Sequence, residues 1–277
     1  MKLKNRIKSI AIGSFDGVHL AHQTLIKQVE AVVIIEKNQA TITHGYKRVE
    51  FINKPCFFYH FEIVKSLLAK DFIDRLKQDF PRLEKIVVGY DFAFGYKKKG
   101  DVAMLRELFE KEVVVVSELK YKDISIHSCT IREAILEGNI SLANSLLNRN
   151  YKICGKVIKG QGLGKKELVP TINLTVQNYI LPKEGVYATK TLIDNSWLDS
   201  ISFLGHRVTT DGSFAIETHI LNRDIDKVLE DIEIEFIDFI RSNRKFSSLN
   251  ELKKQINIDI KNSIKKLNYF KKGTSTS

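Results

Sequence analysis

Short apolar runs alternating with helically spaced segments fill the first half of the chain. Residues 9–13 (Ser-Ile-Ala-Ile-Gly), 32–36, 56–59, 85–89 and 113–116 are β-branched or aromatic runs of strand length. Between them, apolar positions recur every third or fourth residue over 19–29, 63–68, 72–80 and 102–111, with Pro81 closing the third of these segments. Strands alternating with helices predict a parallel sheet with crossover helices. Two further helices are predicted over 130–136 and 140–147, parted by Gly138-Asn139. From about residue 150 the pattern changes. Segments 152–158, 171–174, 186–193, 201–204, 214–220 and 232–239 are short and alternating, the signature of a small antiparallel β-barrel. A helix over 249–267 follows. The reading divides the chain into domains at 1–148 and 149–270, with 271–277 (Lys-Lys-Gly-Thr-Ser-Thr-Ser) as a disordered tail.

Composition narrows the class. Of the 277 residues, 43% are hydrophobic and 28% charged, which suits a protein with one or two real cores. The apolar runs are too short to span a bilayer, and residues 1–14 lack the sustained apolar stretch of a secretory leader. Three cysteines, Cys56, Cys129 and Cys154, have no CxxC spacing, so neither a disulfide framework nor a zinc site is expected, and a cytoplasmic location is. The formal charge is +11, and residues 241–277 hold ten Lys or Arg against two acids. Such an excess brings anionic partners into view, nucleic acid and membrane surfaces among them. A solvated helix face is the simpler reading of the basic end.

Candidate chemistry sits in both halves. Thr171 and Asn173 are two apart in an apolar segment, so in a strand both side chains leave the same face. A hydroxyl and an amide carbonyl there offer hard oxygen ligands for a magnesium–nucleotide complex. Glu217, in a second apolar segment, is placed to deprotonate an alcohol. Upstream, Gly160, Gly162 and Gly164 form a glycine-rich turn through which backbone can approach phosphates. In the first half, Gly13-Ser14-Phe15-Asp16-Gly17-Val18-His19-Leu20-Ala21-His22 lies where the first strand meets the first helix. In open α/β sheets that crevice binds ligands. His19 and His22, three apart on a helical turn, can steady charge on a leaving pyrophosphate; metal ligation is the rival use of such a pair. Thr130-Ile131-Arg132-Glu133 fits a capping box at a helix start.

The second half resembles the riboflavin kinase module. The matching residues are the glycines at 160–164, Pro170-Thr171-Ile172-Asn173, Pro182-Lys183-Glu184-Gly185-Val186-Tyr187, Glu217-Thr218-His219-Ile220-Leu221, and Ile240-Arg241 with Lys245-Phe246 and Leu252, in order over roughly 149–262. The first half is similar to the nucleotidyltransferase of the bacterial bifunctional riboflavin kinase/FMN adenylyltransferase, or FAD synthetase, family. It carries Gly13-Ser14-Phe15-Asp16-Gly17-Val18-His19 with His22, and Gly89-Tyr90-Asp91-Phe92-Ala93-Phe94-Gly95. The resemblance implies a Rossmann-like nucleotidyltransferase domain, then a riboflavin kinase barrel. It implies catalytic roles for Glu217, His19 and His22, and Mg²⁺ on Thr171 and Asn173. Nucleotide would bind at Gly13, Phe15, Asp16, Ser128, Arg132, Gly160, Gly162 and Gly164, and flavin at Asp91, Phe92 and Arg241. ATP, riboflavin, FMN and FAD would be substrates and products; such a protein is basic without binding nucleic acid or membrane.

Departures from the family pattern are specific. Ala21 stands where the family has Gly, His127 and Cys129 replace a Ser and a Thr, and Leu168 takes a glycine position. The Pro-His-Pro segment after the second strand is missing, and Asp226-Lys227-Val228-Leu229 only partly matches an Asp-Leu-Tyr-Gly turn. Two other expectations therefore stay open: a riboflavin kinase with a degenerate nucleotide-binding first domain, and an RNA-binding or regulatory protein on the same fold.

Overall fold

The five apolar runs of the first half become five strands: β1 (Ser9–Gly13), β2 (Ala31–Glu36), β3 (Cys56–His60), β4 (Lys85–Gly89) and β5 (Glu112–Val116). The computed structural model describes residues 3–159, 168–209, 212–223 and 231–274. Gly160, Gly162, Gly164 and the segment 226–229 lie outside the described residues. The chain divides into two compact units, Met1–Thr130 and Ile131–Ser277.

In the first unit all five strands pair in parallel, in the order β3-β2-β1-β4-β5. Period-2 alternation gives the sheet two apolar faces. Ile10 and Ile12 join Val33, Ile86 and Val88 on one; Ala11 joins Val32, Ile34 and Val87 on the other. With both faces covered, the strands read as continuous apolar runs. On the first face, α3 (Ala69–Asp79) buries Phe72, Ile73 and Leu76, and α4 (Val102–Phe109) buries Leu105 and Phe109. On the second, α1 (Leu20–Ile26) buries Leu25 and Ile26. Asp101 caps α4 by accepting the Met104 N–H at 2.9 Å. The helix expected over 63–68 is a single turn, α2 (Phe61–Val64), because Leu68 is already extended as the N-cap of α3. A hairpin, β6 (Lys120–Tyr121) and β7 (Ile124–Ser125), was not legible in the pattern; Lys122 and Asp123 turn it with positive φ. Strand order reverses between β1 and β4, so the crevice past their C-terminal ends is this sheet's ligand position.

The helix α5 (Ser128–Glu137) begins in the first unit and runs into the second. There it is followed by α6 (Ile140–Leu147), which the sequence reading placed in the first domain. Hydrogen bonds explain why α6 sides with the barrel. Asn144 donates to the Phe236 carbonyl at 2.9 Å and accepts the Tyr151 N–H at 2.7 Å.

Six strands close the barrel in the order β10-β11-β12-β9-β8-β13: β8 (Tyr151–Ile158), β9 (Ile172–Thr175), β10 (Gly185–Ile193), β11 (Ser196–His206), β12 (Phe214–Ile220) and β13 (Ile232–Ser242). Asp194 and Asn195, both with positive φ, make the tight turn from β10 to β11, so β11 starts earlier than its expected 201–204. Thr189, Thr191, Ser200, Ser202 and Thr218 are fully buried and bond to one another at 2.8–3.2 Å. Every one of these hydroxyls therefore has a partner, as burial demands. Val186 and Ala188, on the opposite face of β10, pack with Ile201, Ile237 and Leu267.

Leu267 belongs to the last helix, α7 (Leu249–Thr274), whose Ile260, Ile264 and Phe270 join the same cluster at helical spacing. The helix continues through 271–274, into the stretch read as disordered tail; 275–277 lie outside the described residues. Part of its positive charge is spent on the barrel surface, Lys266 on Asp238 at 2.7 Å and Lys271 on Asp199 at 2.6 Å.

Gly185 has a steric reason to be glycine. A Cβ there would run into the Arg241 carbonyl and lie 2.7 Å from the Phe239 ring. Gly185→Ala is expected to destabilise the protein by about 2 kcal/mol through overpacking. Thermal unfolding checks this: a melt that stays within a degree of the parent would mean that β10 and β13 are not this close.

Candidate functional sites

In the first unit, the chain leaving β1 makes a tight turn. Phe15, Gly17 and Val18 all have positive φ, at 48°, 83° and 40°. For a β-branched valine that is a costly conformation, of the kind found where function constrains backbone. Phe15 and Val18 are fully buried, which holds them there. The Asp16 carboxylate, 5% exposed, accepts the Ile42 N–H at 2.8 Å and the Thr43 N–H at 3.2 Å. Buried Arg48 and Glu36 form an ion pair at 3.6 Å close by. Burial pulls the Arg48 pKa below its ordinary value while Asp16 and Glu36 oppose that. Asp16 was expected on the nucleotide; its carboxylate is instead engaged by the 42–43 backbone.

His19 is the N-cap of α1, and its Nδ1 accepts the His22 N–H at 3.4 Å. That leaves the ring proton on Nε2, which faces Ser128 Oγ at 3.4 Å. Ser128 in turn donates to the Asp16 carbonyl at 2.8 Å. His19 and His22 stack, centroids 3.6 Å apart, with Phe15 against His22 at 5.0 Å. The sequence thus brings Gly13, Phe15, His19, His22 and Ser128 together.

These five line a cavity of about 580 Å³ together with Ala21, Asp91, Phe92, Phe94 and Cys129. Phe92 stacks on Phe94 at 5.4 Å, while Asp91 is exposed. The wall also holds a polar group that sequence reasoning missed. Tyr90 Oη meets His127 Nε2 at 2.8 Å, and His127 lies 3.9 Å from Asp91 and 4.0 Å from Glu118. Desolvation first, then the Glu118 and Asp91 charges, raises the Tyr90 phenol above its ordinary value. A hydrogen bond from Ser125 holds Glu118 below its own. Arg132 follows Ser128 by four positions on α5, one turn further along the same face.

In the second unit, Glu217 of β12 stands directly opposite Asn173 of β9 in the antiparallel register. Directly opposed residues point to the same face. Asn173 is 9% exposed, and Thr171 lies just ahead of β9. His219 Nδ1 meets the Pro170 carbonyl at 2.7 Å and so ties down the approach to Thr171.

Sequence reasoning did not find Arg207, which bridges this pair. It reaches Glu217 at 2.6 Å and the Asn173 amide oxygen at 2.8 Å. Its sole signal was position, one residue past β11, since the contact is tertiary. Arg241, expected on the flavin, is bound elsewhere: Nε lies 3.0 and 2.9 Å from the two oxygens of Asp259, which is 2% exposed. Among the described residues, no cluster of three His, Cys, Asp or Glu could hold a metal ion.

A switch-point cavity on one unit and a carboxylate opposed to an amide on the other make this a two-module transferase. A family profile described as riboflavin kinase matches residues 147–267, and one described as FAD synthetase matches residues 32–130. The bifunctional riboflavin kinase/FMN adenylyltransferase of Buchnera aphidicola subsp. Schizaphis graminum is 31% identical, with 94% of each chain covered. The Escherichia coli K12 protein so described is 27% identical, covering 89% of this chain and 88% of its own. The chain belongs to the bifunctional riboflavin kinase/FMN adenylyltransferase family. A crystal structure described as a macrolide-efflux protein from Streptococcus pneumoniae superposes with a TM-score of 0.80 at 26% identity, over 94% of this chain and 96% of that one. No helix among the described residues is long and apolar enough to cross a membrane.

Proposed function

We propose that the second unit transfers the γ-phosphoryl of ATP to the 5′-hydroxyl of riboflavin. The first unit then joins FMN to the AMP part of a second ATP and releases pyrophosphate. The observation that carries the kinase reading is Glu217 facing Asn173 across one rung of the barrel. Glu217 takes the proton from the vitamin alcohol as its oxygen attacks phosphorus. Thr171 and Asn173 would hold Mg²⁺. The donor set fits, because Asn173 Oδ1 and Glu217 already converge on one positive group, Arg207. Bound there, the ion would offset charge on the transferring phosphate. The glycines at 160, 162 and 164 are assigned to the nucleotide on resemblance alone.

In the first unit, His19 and His22 steady the charge that moves onto pyrophosphate, a task of positioning and electrostatics. Ser128 takes the phosphates, Gly13 and Phe15 line the cavity, and Asp91 with Phe92 face the flavin; Arg132 is assigned to the phosphates on resemblance alone. Asp16 acts one step back, its carboxylate fixing the 42–43 backbone and its carbonyl aiming Ser128. Three cysteines with no disulfide between them suit a reducing cytoplasm.

Purified protein given riboflavin and Mg-ATP is expected to yield FMN and then FAD, separated by chromatography. Product that halts at FMN would reduce the protein to a kinase, the alternative that Ala21, His127 and Cys129 keep in play. Absence of both products would overturn the reading.

A further inference from the structure

Among the described residues, each of the three nitrogens of the Arg207 guanidinium has a side-chain partner. Nε lies 2.7 Å and Nη2 2.6 Å from Glu217 Oε1, Nη2 also lies 2.8 Å from Asn173 Oδ1, and Nη1 donates to Ser213 Oγ at 2.9 Å. Its backbone is tied as well. The Arg207 N–H donates to the Ser213 carbonyl at 2.9 Å, and the Arg207 carbonyl accepts the Gly212 N–H at 3.1 Å.

A guanidinium carries donors only, whereas a primary amide carries an acceptor on one side and donors on the other. With nothing between them, Asn173 and the carboxylate opposite would pair directly, the amide turned so that Nδ2 donates to Glu217. That rotamer aims a donor where a cation has to be received. With Arg207 in place the amide presents oxygen, and amide and carboxylate oxygens converge on a single positive charge.

We infer that Arg207 is a positioning residue for riboflavin phosphorylation. It fixes the Asn173 amide oxygen-inward beside Glu217, where it would be ready to receive the divalent ion that accompanies the nucleotide, the guanidinium giving way to it. The inference rests on the reading of Asn173 as cation ligand and Glu217 as base. Two positive groups crowding one amide oxygen repel strongly, so the ion and the guanidinium take turns.

The test uses the full chain with Arg207→Met and Arg207→Lys. Four quantities are measured: kcat and KM for riboflavin phosphorylation, Mn²⁺ affinity in the presence of ADP by calorimetry, and the melting temperature. Asn173→Ala supplies the baseline for Mn²⁺ held elsewhere. Arg207→Met is expected to lower kcat about 100-fold while riboflavin KM stays within about threefold. Mn²⁺–ADP affinity should fall about tenfold, since the amide is then free to turn. Lysine, also a donor without an acceptor, should recover most of that affinity and part of kcat. FMN adenylylation in the same samples should be unchanged.

A Met variant that melts like the parent and keeps kcat within threefold overturns the inference. So does tighter Mn²⁺ binding, which would make Arg207 a mere competitor, and so does a Lys variant no better than Met. If the Met variant melts early, Arg207→Lys decides: lowered kcat with retained affinity supports the role, and unchanged kcat overturns it. Glu217→Gln and Asn173→Ala separate the two levels of failure. Should both keep phosphorylating riboflavin, the reading of the site is wrong; should both lose it while Arg207→Met does not, only the role of Arg207 falls.

Discussion

Glu217→Gln is expected to slow riboflavin phosphorylation about 1,000-fold, the range of a lost general base, while FMN adenylylation continues at the parent rate. The substitution is nearly isosteric. A glutamine oxygen still accepts from Arg207, which now reaches Glu217 Oε1 at 2.6–2.7 Å, so the local geometry survives. What is lost is the capacity to take a proton from the attacking alcohol. Separate assays with riboflavin and with FMN as the starting substrate resolve the two reactions. Equal loss in both would contradict the division of labour between barrel and sheet; no loss in the first would remove Glu217 from the chemistry.

His19→Ala should give the mirror image, with FMN adenylylation lowered about 100- to 1,000-fold and riboflavin phosphorylation intact. Alanine also deletes the N-cap of α1, which costs about 1 kcal/mol, so some loss could come from a frayed turn. His19→Asn removes that ambiguity. Asparagine is a good N-cap and can accept the His22 N–H as Nδ1 does, but it has no imidazole Nε2 to offer toward Ser128. Both variants failing alike places the effect in the imidazole. Asparagine retaining full adenylylation would assign His19 to capping alone.

The residues made much of this legible. Continuous apolar runs, rich in Val and Ile except for the aromatic β3, predicted each strand of the parallel sheet, because burial on both faces leaves few polar positions to interrupt the pattern. Asn173 and Glu217 were legible for another reason: both sit inside short apolar segments where a polar side chain is conspicuous. Arg207 was not, since it lies in a loop among other polar residues and its partners are 34 and 10 positions away. The Tyr90–His127–Glu118 group was missed likewise, being assembled from three separate segments. Asp16 and Arg241 show the converse. A motif places a residue near a site without telling which way its side chain turns, and here amides at 42–43 and Asp259 claimed them. The pattern did not show that α6, which looks like one more crossover helix, is bonded through Asn144 to barrel strands.

The hydroxyl cluster inside the barrel has a bearing on where the chemistry can happen. Short Thr and Ser side chains let β10, β11 and β12 close on a narrow bore that they then fill, together with Tyr187 and Phe236. Among the described residues, these side chains take up the middle of the bore. Thr218 points into that interior while its neighbour Glu217 points out. Truncating the buried hydroxyls would therefore weaken the scaffold behind β12, while the outward face that carries Glu217 and Asn173 is where changes meet the candidate site directly.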